Sequence, residues 1–221
     1  MSVKKTRIIA HAGCEQTIPG SEENLRVARD CGADIVEMDL RVFGGEVYLS
    51  HDPVDGSNCD RLLTLGQAFT LLESARVRFN CDLKTAETMQ AVVRIAASRK
   101  LLDRVIFTGE YTPERRDRAG YRHFRNVEHL GIVEPHEPIS RAKAERLVEA
   151  FRRNADRTLE AYNVEYTTLT DEALSIFEEA GIPLCCWTVD DLASIRRLFD
   201  RGIYAVTTNL LQEARAAREA T

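Results

Sequence analysis

Short strand-like segments alternate with amphipathic segments along the whole 221-residue chain. The strand-like segments are β-branched or alternate apolar and polar residues, and the segments between them have apolar residues at helical spacing. Such alternation is typical of a parallel sheet, since parallel neighbours must be joined by long crossover connections. The predicted strands of the eight units are residues 7–10, 35–40, 78–84, 104–108, 125–130, 161–166, 183–189 and 204–207.

A helix is predicted between successive strands. The first has Ser21 as a typical N-cap, glutamates in its first turn, and a stop at Gly32. An additional short strand, residues 47–51, follows the second strand and ends at His51. The other predicted helices are residues 62–74, 87–99, 113–119 (a helix or a turn), 140–152, 171–180, 191–201 and 210–220.

Eight strand-helix units favour closure into a (β/α)₈ TIM barrel, and a doubly wound open sheet is the alternative. Polar residues at the predicted strand ends favour the barrel, because in a barrel the ends of all strands converge on one face. We expect one compact barrel domain over residues 1–221, with little or no capping insertion. The strand-end residues are His11, Glu37, Asp39, His51, Asp82, Lys84 and Trp187.

Composition excludes some functions. The net charge of −5 and the pI near 5.6 argue against a nucleic-acid-binding surface. Six cysteines without CxxC spacing predict reduced thiols and a cytoplasmic protein. No apolar stretch is long enough for a signal peptide or a stable membrane insertion. The oligomeric state stays open, and a homo-oligomer is compatible with the sequence.

Paired polar residues at period-two spacing indicate an acidic face. Glu37 and Asp39 lie on one side of the second predicted strand, and Asp82 and Lys84 repeat this geometry on the third. Adjacent buried carboxylates are costly unless something positive lies between them. A divalent metal with oxygen ligands, Mg²⁺, Ca²⁺ or Mn²⁺, is one solution. Structural ion pairs with arginines are the other.

The ordered strand-end motifs resemble the glycerophosphodiester phosphodiesterase family from about residue 8 to residue 210. Each motif is weak alone, but seven in order are a specific signal. They are His11-x-Gly13, Gly32-Ala33-Asp34, Glu37-x-Asp39, His51-Asp52, Asp82-x-Lys84, Trp187-Thr188-Val189 and Thr207-Thr208-Asn209.

The resemblance implies a (β/α)₈ barrel that hydrolyses glycerophosphodiesters to glycerol phosphate and an alcohol. It implies one divalent cation, Mg²⁺ or Ca²⁺ with Mn²⁺ as a further option, held by residues matching Glu37, Asp39 and Asp82. It also implies two catalytic histidines matching His11 and His51. The partner implied is a small-molecule phosphodiester substrate.

Phosphodiester hydrolysis needs charge neutralisation at the non-bridging oxygens, a base for the nucleophile and an acid for the leaving group. His11 is the candidate base and His51 the candidate acid, and the reverse assignment stays open. Lys84 is expected to contact phosphate, and Trp187 is expected to line the alcohol pocket or simply belong to the core.

The chain departs from the family pattern in four places. Ala12 replaces the usual arginine, and Asp82 is one methylene shorter than the usual glutamate. Pro19-Gly20-Ser21 only partly matches the family's Pro-Glu-Asn-Thr segment, so Glu22, Glu23 or Asn24 could take its polar role. The loop after His51 is short. Two alternative functions are therefore hydrolysis of another phosphodiester, such as a lysophospholipid or a cyclic phosphodiester, and non-catalytic binding of a phosphometabolite.

Overall fold

The computed structural model describes residues 5–110, 121–153 and 158–220. The strands in these ranges are β1 (Arg7–Ala10), β2 (Ile35–Phe43), β3 (Glu46–Leu49), β4 (Arg78–Leu83), β5 (Val105–Gly109), β6 (His123–Asn126), β7 (Leu159–Glu165), β8 (Leu184–Trp187) and β9 (Ala205–Thr208).

All of these strands except β3 form a parallel sheet in chain order, and β1 pairs with both β9 and β2. This double pairing closes the sheet into an eight-stranded barrel. The predicted (β/α)₈ TIM barrel is thus confirmed, and an open sheet is excluded because β1 has no free edge.

Helices surround the barrel. In the described ranges they are α1 (Glu22–Asp30), α2 (Leu65–Leu72), α3 (Thr88–Ser98), α4 (Arg141–Arg153), α5 (Asp171–Glu179), α6 (Leu192–Asp200) and α7 (Leu211–Glu219). The helix or turn predicted over residues 113–119 lies outside the described residues. Within the described part of the chain, no helix has both the length and the apolar character needed to cross a membrane.

Side chains capping the helices explain several helix starts. The Ser21 and Thr170 side chains accept hydrogen bonds from backbone N–H groups of α1 and α5. Thr64 and Gln67 form a reciprocal capping box at α2. The helix predicted over residues 62–74 is therefore shorter than expected, because the Thr64 cap defines where it begins.

The barrel interior changes from apolar to polar along the strands. Its apolar layer consists of Ile9, Ile35, Ile106, Phe124, Ala161, Cys185 and Ala205. Because side chains alternate between the two faces of a strand, the residues two positions later also point inward. On β2, β4, β6 and β7 these positions near the C-terminal end are polar: Glu37, Asn80, Asp82, Asn126 and Asn163. The apolar layer is thus the floor of a polar pocket.

β3 is not a barrel strand, and it ends at Leu49, so His51 lies in the loop after β3 and not at the predicted strand end. It pairs antiparallel with β2, and Leu49 lies opposite Leu40. Gly44 and Gly45 form the two-residue connection with positive φ angles of 58° and 85°, as hairpin turns require. The hairpin returns the chain toward the pocket, so that the Ser50 N–H donates to the Asp39 carbonyl at 2.9 Å.

The predicted strand over residues 125–130 is largely wrong. β6 begins at His123, and Val127–Leu130 form a 3₁₀ turn that ends at Gly131, where φ is 63°. Val127 and Leu130 are three residues apart, which matches the 3₁₀ period and not the period of two of a strand. Val127 is buried as the first residue of that turn.

Candidate active site

A cavity of about 440 Å³ opens at the C-terminal ends of the barrel strands. It contains every site residue predicted from the sequence. The predicted members of its wall are His11, Glu37, Asp39, His51, Asp82, Lys84 and Trp187. The other residues that line it are Ala12, Pro19, Asn80, Thr108, Asn126, Asn163 and Thr188.

A larger cavity of about 670 Å³ lies at the opposite end of the barrel. Two of its basic side chains already have partners: Arg201 pairs with Glu178 at 2.6 Å, and the Arg7 guanidinium lies 4.3 Å from the centre of the Tyr204 ring. Active sites of this fold lie at the C-terminal face. The smaller cavity is therefore the candidate active site.

Three carboxylates converge on the floor of the site. Asp39 on β2 lies opposite Asp82 on β4, and Glu37 lies opposite Asn80. Ligand oxygens of Glu37, Asp39 and Asp82 all lie within 4.8 Å of one another. The period-two pattern on two neighbouring strands has brought the predicted acidic residues together.

Lys84 bridges two of these carboxylates. Its Nζ lies 2.9 Å from Asp39 Oδ1 and 2.5 Å from Asp82 Oδ2. Burial alone would lower the pKa of the ammonium, but Asp82 and Asp39 outweigh it and raise the pKa of Lys84. The ammonium is therefore charged at neutral pH, and the structural ion pair expected with arginines is made by a lysine.

Glu37 forms no ion pair with a cation in the described part of the chain, and Lys84 affects it only at longer range. Burial, together with repulsion from Asp82 and Asp39, holds the pKa of Glu37 well above its ordinary value. Its contact with Asn80 Nδ2 is long, at 3.4 Å, and Thr108 Oγ1 orients that amide by donating to Asn80 Oδ1 at 2.8 Å. Burial also raises the pKa of Asp82, despite the opposing effect of Lys84.

The donor set suits a hard divalent cation. Three carboxyl groups share one ammonium, which leaves two negative charges in a half-buried cluster when all three are ionised. Such a cluster is stable only if the carboxylates are protonated or a cation compensates them. All donors are oxygen atoms, the type that Mg²⁺, Ca²⁺ and Mn²⁺ prefer. Glu37, Asp39 and Asp82 therefore fit the cation that the resemblance implies.

Gly109 at the end of β5 allows Asp82 to occupy its position. Its φ is 74°, and a Cβ added there would lie 2.3 Å from Asp82 Oδ1 and 2.4 Å from the Leu83 carbonyl oxygen. Only glycine accommodates both the backbone conformation and this close approach. The end of β5 thus contributes space to the site.

His11 follows β1 and is held on one side. Its Nδ1 lies 3.0 Å from Asn209 Oδ1, and the Asn209 Nδ2 donates to Asp190 Oδ2 at 2.6 Å. The backbone N–H of His11 also donates to the Thr208 carbonyl at 3.1 Å. His11 is therefore held in place by the segments that follow β8 and β9.

His51 is on the rim of the site, and 71% of its side chain is exposed. Its Nδ1 lies 3.3 Å from Asp52 Oδ1, and its carbonyl accepts a hydrogen bond from Arg41 Nε at 2.9 Å. Arg41 lies two residues after Asp39 on the same face of β2. The rim therefore carries an arginine near the histidine, which the sequence analysis did not single out.

The opposite wall carries amides and Trp187. Asn163 Nδ2 donates to Asn126 Oδ1 at 2.8 Å, which joins β6 to β7. The indole nitrogen of Trp187 is buried, and within the described ranges it has no hydrogen-bond partner. Trp187 lines the cavity, but its buried N–H has almost no surface open to a ligand, so the contact with the alcohol group stays a prediction.

Many solved structures have the same fold as this chain. A protein from Agrobacterium tumefaciens, named provisionally as a glycerophosphoryl diester phosphodiesterase, is 16% identical, has a TM-score of 0.77, and matches over 98% of both chains. A glycerophosphodiester phosphodiesterase from Parabacteroides distasonis is 18% identical, with a TM-score of 0.67 over 98% of each chain. A phosphodiesterase from Oleispira antarctica, in complex with the product sn-glycerol-3-phosphate, is 17% identical, with a TM-score of 0.67 over 97% of each.

The chain shares its (β/α)₈ fold with glycerophosphodiester phosphodiesterases. No protein-family model and no curated protein sequence matches it.

Within this fold, the segment after Pro19 has a structural role. Glu22 is exposed and pairs with Arg26, whereas Asn24 is buried. The Asn24 amide donates to Thr17 Oγ1 at 3.0 Å and to Cys14 Sγ at 3.3 Å. Of the three polar residues that could fill the family position, Asn24 is thus the one that holds the loop after His11.

Some site residues escaped the sequence analysis. Asn80 had a signal, since it shares the period-two face of Asp82. Asn126 and Asn163 also lie on inward faces by the alternation of side chains along a strand. Asn126 was not recognised because the predicted bounds of β6 were wrong. Asp190 directly follows the predicted strand over residues 183–189, but the observed β8 ends at Trp187, and the role of Asp190 depends on the geometry of the loop after it.

Proposed function

We propose that this protein is a metal-dependent phosphodiesterase that hydrolyses glycerophosphodiesters to glycerol phosphate and an alcohol. One observation carries the proposal: His11, His51 and the three clustered carboxylates line one cavity together with Lys84. Proton-transfer groups beside a cation-compatible acidic cluster are the set that phosphodiester hydrolysis requires. The fold shared with glycerophosphodiester phosphodiesterases supports the same substrate class.

In this proposal, Glu37, Asp39 and Asp82 hold one divalent cation, Mg²⁺ or Ca²⁺, with Mn²⁺ as an alternative. When bound, the cation supplies charge neutralisation at the non-bridging phosphate oxygens. Lys84 adds a fixed positive charge at the same floor of the cavity. Because its ammonium is already held by Asp39 and Asp82, it needs little reorganisation to face a phosphate.

His11 acts as the base that accepts the proton of the attacking water. Its Nδ1 is engaged by Asn209, which leaves Nε2 as the nitrogen for substrate. His51 acts as the acid that protonates the leaving alcohol oxygen. Its exposed position on the rim suits this role, because the alcohol departs toward solvent.

The substrate's alcohol group lies against Trp187 and the Asn126–Asn163 pair in this proposal. The Asn126 and Asn163 side chains line the cavity and can form hydrogen bonds with hydroxyl groups. A polar alcohol such as glycerol satisfies these groups, whereas an apolar group would leave them unpaired. This wall therefore favours glycerol-like or other hydroxylated substrates.

A lysophospholipid is the second candidate substrate, and two exposed apolar side chains favour it. Ile18 is 72% exposed in the loop beside Pro19, which lines the cavity, and Phe43 is exposed at the tip of the β2–β3 hairpin. Ile18 lies in the segment after β1, and Phe43 is the last residue of the neighbouring strand β2, at the same end of the barrel. If an acyl chain rests there, Ile18→Ser should weaken turnover of lysophospholipids and leave that of short glycerophosphodiesters unchanged.

The direct test is hydrolysis of a panel of glycerophosphodiesters, lysophospholipids, a cyclic phosphodiester and a generic aryl phosphodiester, with and without a chelator. We expect release of glycerol phosphate from glycerophosphodiesters that stops on chelation and returns with Mg²⁺ or Ca²⁺. Binding of glycerol phosphate without turnover of any member would support a non-catalytic binding protein and overturn the proposal.

A further inference from the structure

We infer that Asp190 and Asn209 are positioning residues that hold His11 in the tautomer with its proton on Nδ1. The catalytic consequence of this inference rests on the proposed function, whereas the tautomer itself does not. Asp190, an exposed residue after β8, accepts a hydrogen bond from the side-chain amide of Asn209, which follows β9. The same amide contacts the imidazole of His11, which follows β1.

The first step is the orientation of the Asn209 amide. The Asp190 carboxylate can only accept hydrogen bonds. It receives the Asn209 backbone N–H at 2.8 Å on Oδ1 and the side-chain Nδ2 at 2.6 Å on Oδ2. The reverse amide orientation would place a carbonyl oxygen against a carboxylate oxygen, which is repulsive. The Asn209 Oδ1 must therefore face away from Asp190.

The second step is the protonation of His11. Asn209 Oδ1 lies 3.0 Å from His11 Nδ1 and, as a carbonyl oxygen, can only accept. Nδ1 must then carry the proton, so the neutral imidazole has its lone pair on Nε2. In the other tautomer, two acceptors would face each other at this distance. The Asp190 carboxylate thus sets which nitrogen of His11 can take a proton from substrate.

The third step is the rigidity of the three segments. The Thr208 Oγ1 donates to Asp190 Oδ1 at 3.3 Å and accepts the Leu210 N–H at 3.0 Å. The Asn209 carbonyl accepts the Glu15 N–H at 2.8 Å. The Glu15 carboxylate in turn accepts the Gln212 N–H at 3.0 Å. Backbone contacts therefore fix Asn209 on both sides.

This arrangement predicts a specific result for Asp190→Asn. An asparagine at this position can present an N–H₂ group to Asn209, which removes the constraint on the Asn209 amide. The amide can then turn its Nδ2 toward His11, and the imidazole proton moves to Nε2. Asp191 provides a matched control: it carries the same charge next in sequence, but it caps α6 by accepting the Ser194 N–H at 2.8 Å.

The test is ¹⁵N NMR of the histidine rings in the substrate-free protein, at a pH well above the ordinary histidine pKa of about 6.5. His11→Gln assigns the His11 signals among those of the five histidines. We expect Nδ1–H in the wild type and in Asp191→Asn, and an increased Nε2–H population in Asp190→Asn. An Nε2–H tautomer in the wild type would overturn the inference, whether or not the variants fold.

A kinetic measurement separates this inference from the proposed function. On a glycerophosphodiester, Asp190→Asn should lower kcat by at least about tenfold with little change in KM, because the wrong nitrogen then faces the substrate. An Nδ1–H wild type without any turnover would contradict the proposed function alone. An unchanged tautomer and unchanged kcat in Asp190→Asn would contradict the positioning role alone.

Discussion

Asp39 on β2 and Asp82 on β4 are direct neighbours in the sheet register, and Lys84 Nζ contacts both carboxylates. The single ammonium thus offsets at most one of these two negative charges, and Glu37 adds a third carboxyl group that forms no ion pair among the described residues. Burial and this excess of carboxyl groups raise the pKa of Glu37, and the three oxygen donors are compatible with a further cation.

Substitution of Lys84 by methionine tests the source of phosphate binding. With alanine at position 12, Lys84 is the basic side chain at the cavity floor, and its loss should cost about 2 to 4 kcal/mol of transition-state stabilisation. The measurement is kcat/KM on a glycerophosphodiester, with Lys5→Met at the other end of the barrel as the control. A decrease in kcat/KM of less than about threefold would indicate that Arg41 on the rim, and not Lys84, binds the phosphate.

Replacement of Glu37 by glutamine should have opposite effects on the metal-free protein and on metal binding. Because burial raises the pKa of Glu37, its ionised form destabilises the metal-free fold above the ordinary glutamate pKa of 4.5, so the variant should unfold at higher temperature near neutral pH. In equilibrium dialysis, it should bind Mg²⁺, Ca²⁺ or Mn²⁺ more weakly than the wild type. Equal binding by both proteins would contradict the assigned metal site.

Gly109→Ala should displace Asp82 as well as strain the backbone. Positive φ alone costs an alanine about 1 to 2 kcal/mol, and the clash with the Asp82 carboxylate adds to this. Gly131→Ala is the matched control, because its φ is also positive at 63° and its Cβ would meet nothing within 4 Å. Both variants should lose stability in chemical denaturation, but only Gly109→Ala should lose metal affinity. Equal metal affinity in the two would show that Gly109 does not shape the site.

Glu160 at the other end of the barrel should govern acid stability without affecting the site. Burial would raise its pKa, but hydrogen bonds from Arg78, Arg122 and Tyr204 lower the pKa of Glu160 to about 2. The ionised carboxylate therefore stabilises the fold above pH 4.5, and this contribution is lost as the pH falls toward about 2.

Glu160→Gln should accordingly unfold more easily than the wild type at pH 7, by roughly 2 kcal/mol after allowance for solvent screening. Denaturation curves across pH 2 to 7 should show the two proteins converging at the acid end. A constant difference at all pH values would contradict the ion-pair explanation. The kcat of the variant should remain that of the wild type.

The sequence predicted those parts of the fold and site that depend on local periodicity. Period-two spacing brought Glu37, Asp39, Asp82 and Lys84 onto inward faces, and strand-helix alternation predicted the barrel. Periodicity could not show that β3 turns back as a hairpin, because an antiparallel return and a new barrel strand have similar patterns. It also could not show that Val127 begins a 3₁₀ turn.

Contacts between residues from the two ends of the chain, which meet where β1 pairs with β9, could not be predicted from the sequence. The contact between His11 and Asn209 joins residues 198 positions apart, and it exists because β1 pairs with β9. Asp190 reaches Asn209 only through the loop after β8. Likewise, period-two spacing predicted that Lys84 shares the face of Asp82, but no sequence pattern indicated that its ammonium would also contact Asp39 on the neighbouring strand.

In the proposed function, His11 and His51 transfer protons in metal-dependent hydrolysis of a glycerophosphodiester. The most direct measurement is single-turnover hydrolysis by the wild type, His11→Ala, His51→Ala and the double variant, each with Mg²⁺ or Ca²⁺ and after chelation. We expect each single variant to lose about 10² or more in rate while remaining folded, and the double variant to lose less than the product. Near wild-type rates in either single variant would contradict proton transfer by that histidine. Rates unaffected by chelation would contradict the metal dependence.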